Sequence, residues 1–173
     1  VTENLEIFGS VTYAAVEFTD GVIPCTDASQ PDVSASNRFN VCDADGEAAS
    51  AQPELFATFR ASYTQPITGT GMEWYLNGLV NYRGDVEVPG DITGAFETDA
   101  FTTVDLVTGL RSEGGWEAQV FIKNLTDEDG VLARRPGGST GVTAGTYNGG
   151  TAIYNELSLI SPRTVGVTGS YRF

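Results

Sequence analysis

The side chains in this chain that could do chemistry are few, and most lie outside its regularly patterned segments. Cys25 and Cys42 stand with 16 residues between them, either as a disulfide pair or as two free thiols. Arg134-Arg135-Pro136-Gly137-Gly138 is the only basic cluster. Adjacent guanidiniums can grip carboxylate or catecholate oxygens in a bidentate way, or simply neutralise Asp127, Glu128 and Asp129 nearby. Neutralisation is the plainer reading. Asp43-Ala44-Asp45-Gly46-Glu47 alternates carboxylates before a glycine, as a cation-binding loop does. The full EF-hand pattern is absent, so a solvated acidic turn is expected there, and likewise at Asp127-Glu128-Asp129-Gly130. Asn124-Leu125-Thr126 matches a glycosylation sequon, which is read as fortuitous.

What is missing narrows the function further. The chain has no His, which removes Ser-His-Asp hydrolysis, Cys-His nucleophiles and the usual zinc ligand sets. Nine Lys and Arg against 23 Asp and Glu give a formal net charge of −14, the wrong sign for gripping phosphate, so no nucleic-acid partner is expected. Only 18% of residues are charged, too few for a charge-driven disordered tail. Neither enzyme activity nor a cofactor is expected. Met72 is the only methionine and no signal peptide opens the chain, so it reads as a mature chain or as a piece of a longer one.

Around these residues the apolar positions recur at every second residue, the strand period. In 72–83, Met72, Trp74, Leu76, Val80 and Tyr82 oppose Glu73, Asn77, Asn81 and Arg83. Segments 54–64, 101–111, 116–124 and 163–173 alternate in the same way. Segment 4–18 does so until it loses register near Ala14-Ala15, which is read as a bulge. Six strands are therefore expected, each about as long as a tilted membrane strand.

Their connections alternate strictly in length. Those at about 20–53, 84–100 and 125–161 are long, while 65–71 and 112–115 are short. Antiparallel strands then place every long connection at one end. Outer-membrane barrels segregate their loops in this way, and β-sandwiches rarely do. Tyr63, Trp74, Trp116, Tyr171 and Phe173 fall near the short-turn ends, with Tyr13 and Tyr82 near the others, as interfacial aromatic rows do. A sandwich with a Tyr- and Trp-rich core is the structural alternative. Six strands are too few to close a barrel, so a fragment is expected.

Three stretches carry a family resemblance. Phe121-Ile122-Lys123-Asn124-Leu125-Thr126-Asp127-Glu128 resembles the NLxDE-type signature near the end of TonB-dependent outer-membrane receptors. Residues 162–173 resemble the last strand of these receptors. Val165, Val167, Gly169, Tyr171 and Phe173 there are similar to the signal read by the barrel-assembly machinery. Leu5 to Tyr13 is similar to another strand of the family.

The resemblance implies that residues 1–173 are the C-terminal portion of a 22-stranded transmembrane β-barrel, plugged by an N-terminal domain outside this sequence. It implies a Gram-negative cell outer membrane, contact with lipid and lipopolysaccharide, and uptake of a scarce nutrient such as a ferric siderophore, cobalamin or an oligosaccharide. Energy would come through TonB and its inner-membrane complex. In that oxidising location Cys25 and Cys42 are expected to be bridged, stabilising their loop by about 3 kcal/mol. Arg134 and Arg135 become the candidate ligand contacts. Glu73, Asn77, Arg60, Asp105, Arg111, Glu117, Gln119 and Lys123 are expected to face the lumen, and Leu76, Val80, Phe59, Leu106, Val120, Val165 and Val167 the lipid. Another outer-membrane barrel, porin or adhesin, and a secreted β-domain are the alternatives.

Overall fold

A computed structural model describes residues 3–25, 40–49, 52–86, 98–136, 146–147, 150–151 and 155–173. Among them there is no helix, and the strands are β1 (Leu5–Tyr13), β2 (Val22–Cys25), β3 (Asn40–Asp43), β4 (Leu55–Ile67), β5 (Met72–Arg83), β6 (Phe101–Ser112), β7 (Trp116–Lys123), β8 (Val131–Pro136), β9 (Thr146–Tyr147), β10 (Gly150–Thr151), β11 (Asn155–Leu159) and β12 (Thr164–Tyr171). The six expected strands form a single antiparallel sheet in the order β1-β4-β5-β6-β7-β12. Each strand pairs with the next one of the six along the chain. The sheet is open, with β1 and β12 as its two edges.

The short turns explain why this order arises. Between β4 and β5, Gly69 and Gly71 adopt positive φ (78° and 61°), and Thr70 Oγ1 donates to the Ile67 carbonyl at 2.8 Å. Between β6 and β7, Gly115 has φ 87°, and a Cβ there would lie 2.6 Å from the Arg172 carbonyl oxygen. Only glycine fits that site. The two turns meet at one end of the sheet, where the Glu113 amide donates to the Gly71 carbonyl at 2.9 Å. Pro66 lies beyond Tyr63, the last β4 residue that β1 covers, so its missing N–H falls where β4 is an outer edge.

Two expectations need correction. β1 ends at Tyr13 instead of continuing through a bulge to residue 18. Beyond it the backbone changes partner, with Ala49 N–H donating to Val16 O, Phe18 N–H to Glu47 O and Ala44 N–H to Gly21 O. The long connections are also not irregular throughout. β2 pairs with β3, β8 with β11 and β9 with β10. These pieces are short, and Pro24 interrupts one of them, so no two-sided period betrays them.

Candidate functional site

Register decides which residues share a face, because directly opposite residues point to the same side. Leu76 of β5 stands opposite Tyr63 and Thr108, and Val80 opposite Phe59 and Val104. Leu106 and Thr108 continue to Ile122 and Val120, which continue to Val165 and Val167. On the other side Phe59 and Ala61 meet Gly9 and Ile7. The apolar halves of all six strands therefore coincide, and no Asp, Glu, Lys or Arg within the strands falls on that side. Among the described residues nothing covers it. Val11 is 72% exposed, Val165 64% and Val167 78%.

Several polar atoms on this face pair with one another or with the strand backbone. Trp74 Nε1 donates to Thr108 Oγ1 at 2.9 Å, and that hydroxyl donates to the Tyr75 carbonyl at 2.9 Å. Tyr63 and Trp74 pack edge to face at 5.7 Å, while Trp116 sits opposite Tyr171, whose ring packs on Phe173 at 5.3 Å. These rings line the short-turn end. Tyr13 and Tyr82 lie at the other end, beside Leu55 and Ala57 of β4.

The opposite face holds the charges. Its centre is Tyr75, only 4% exposed. Its hydroxyl lies 2.7 Å from Glu117 Oε1 and 3.0 Å from Gln119 Oε1. The ring crosses β6 over Gly109, where a Cβ would meet Tyr75 Oη at 2.7 Å. Glycine at that register position is what lets an aromatic ring lie flat on the sheet. Arg111 bridges Glu73 at 3.1 Å and approaches Glu117 at 3.8 Å, its guanidinium 5.2 Å from the Tyr75 ring centroid. Arg111 and Glu117 thus meet across β6 and β7. Arg60 stands opposite Leu79, six positions from Pro66, the partner of Glu73, and two from Ser62, the partner of Asn77, so of the two only Asn77 is its diagonal neighbour.

At the long-connection end, Asn124 holds three segments together. It is 4% exposed with φ 51°. Its backbone N–H donates to Asp105 Oδ1 at 2.8 Å. Its Nδ2 donates to the carbonyls of Glu128 (2.9 Å) and Ser161 (3.1 Å), and its Oδ1 accepts from the Glu128 amide at 2.9 Å. A buried amide committed on both sides is no glycan acceptor. Asp127, at φ 58°, accepts from the Arg163 amide and pairs with its guanidinium, both at 3.1 Å. The stretch at 121–128 and the one at 162–173 are thus parts of one structure. Nothing local in the sequence announces that contact, nor the one between Tyr75 and Gly109.

The remaining candidates fall as follows. Val165, Val167, Gly169 and Tyr171 all lie on the apolar face of edge strand β12, and Phe173 just beyond it. Asp43 Oδ1 accepts from the Asp45 amide at 3.0 Å and Gly46 has φ 77°, so that acidic run forms a tight turn. Cys25 pairs in register with Asn40, and Cys42 with Ile23, which makes the two cysteine positions diagonal neighbours on one hairpin. Their side chains, and with them the expected bridge, fall outside the described residues. Arg134 is opposite Leu157 and Arg135 opposite Glu156 on the β8–β11 pair, and the side chains of both arginines also lie outside them. No protein-family model, curated protein or solved structure matches the chain.

Proposed function

We propose that this sheet is a stretch of the wall of an outer-membrane β-barrel, with its apolar face in lipid and its polar face toward the lumen. The observation that carries the reading is the uncharged apolar face running across all six strands, which nothing among the described residues covers. Five inter-strand spacings of about 4.8 Å by some 27 Å of strand make about 650 Å². That is at the upper limit of apolar patches on soluble monomers. From Trp74 to Tyr82 is eight residues, about 27 Å along the strand and about 21 Å at a 40° tilt, close to the apolar band of such barrels. Lipid tolerates only a closed sheet, so on this reading further strands pair with the open edges at β1 and β12.

Through the resemblance of its motifs the complete protein is a 22-stranded, TonB-energised receptor for a scarce nutrient. In that receptor the present strands supply wall and three surface connections. Two experiments test the reading at its two levels. In vesicles of lipids brominated at known depths, Trp74 and Trp116 of the full-length protein are quenched most by bromines near the headgroups. Quenching absent at every depth means protein, and not lipid, covers this face. Growth on ferric siderophores, cobalamin or oligosaccharides that requires both this protein and TonB supports the receptor. Growth that is independent of TonB means a passive barrel.

A further inference from the structure

Arg83, the last residue of β5, does something different from the other charges on the polar face. Its described partners are two backbone carbonyls. Nη1 donates to Val131 O and Nη2 to Leu132 O, each at 3.1 Å. These oxygens belong to the start of β8, which follows β7 and is not part of the sheet, so the contact reaches over the end of β6. Phe101, the first residue of β6 and the register partner of Arg83, fills the space beneath, 5.7 Å from the guanidinium. Gly130 lies against that ring so closely that a Cβ would come 2.7 Å from Phe101 Cγ. The Ile160 amide donates to Gly130 O at 3.0 Å, fastening the returning limb to the same spot.

We propose that Arg83 is a positioning residue, a strap that draws the root of the third long connection across the polar face and so narrows the space this face borders. The proposal rests on the barrel reading for the meaning of that space, though not for the strap itself. A guanidinium suits the task because its fork can reach two adjacent carbonyls at once while its stem packs on an aromatic ring.

The test uses the full-length protein in lipid, with Cys25 and Cys42 replaced by serine. Arg83→Met keeps the apolar stem and removes the donors, Gly130→Ala pushes the root off Phe101, and Arg60→Met is the control on the same face. Trypsin cleavage between Arg134 and Arg135 is expected to quicken at least tenfold in the first two variants and to stay within twofold in the control. A thiol placed by Asn81→Cys, two residues below the strap, should react at least fivefold faster with a bulky maleimide in the Arg83→Met background, and unchanged with a small methanethiosulfonate. Cleavage within twofold of the parent overturns the strap. Unchanged maleimide labelling overturns the narrowing. Barrel formation is read separately from heat-modifiable gel mobility, so its failure rejects the barrel reading while the cleavage rates still judge the strap.

Discussion

Leu76 and Asn77 are neighbours in β5 and share one continuous hydrogen-bonded ladder, yet they stand in opposite environments. Around Leu76 no register partner on its side is charged, and Trp74 and Thr108 pair their polar atoms there. Around Asn77 the same strands carry Glu73, Arg111, Glu117 and Gln119, joined through Tyr75. The apolar face is uniform and gains from an apolar surrounding. The polar face is built from specific, long-reaching contacts. One surface is defined by what it excludes and the other by what it connects.

The sharpest way to break that contrast is to put one charge on each side. Leu76→Arg should destabilise the full-length protein in lipid vesicles by about 2–4 kcal/mol, and Asn77→Arg by well under about 1 kcal/mol, read by folding titration. Equal losses at the two neighbours would mean that no membrane lies against the Leu76 side.

A cost of about 2–3 kcal/mol is expected for Asn124→Ala at the long-connection end, where buried partners lose their hydrogen bonds and a non-glycine residue must hold positive φ. Asn124→Gly should recover about 1 kcal/mol of this, the backbone part. If glycine recovers nothing, the side-chain hydrogen bonds account for the whole effect.

Tyr75→Phe keeps the ring over Gly109 and deletes the hydroxyl, so about 1 kcal/mol is expected from equilibrium unfolding. Gly109→Ala should cost more than that, because the ring itself has to move. The reverse order would show that the hydroxyl, and not the fit of ring on glycine, holds this face together. The smallest effect belongs to Arg111→Gln. Its side chain is 55% exposed, so no more than about 0.5 kcal/mol is expected, shrinking further in high salt.

Much of the two-face contrast was legible in the residues. Alternation is local, and it located β4, β5, β6, β7 and β12 to within about three residues at each end. It also sorted Leu76, Val80 and Val167 from Glu73, Asn77 and Gln119. It failed where the pattern is short, as in the β2–β3 and β8–β11 pairs, and where a strand stops because its backbone finds another partner, as after Tyr13.

What the sequence determined by itself was the six strands of the main sheet, the face of that sheet on which each of their side chains stands and the end at which each connection lies, since all three follow from a period of two and from loop length. Tertiary structure alone decided the register, and with it that Tyr75 lies across Gly109, that Asn124 and Asp127 clasp the segment leading into β12, and that Arg83 reaches β8 over β6. Those contacts join residues more than thirty positions apart. A strand's own pattern is indifferent to how far its neighbour slides by two, so only the assembled sheet, with its turns closed, could choose which of these side chains meet.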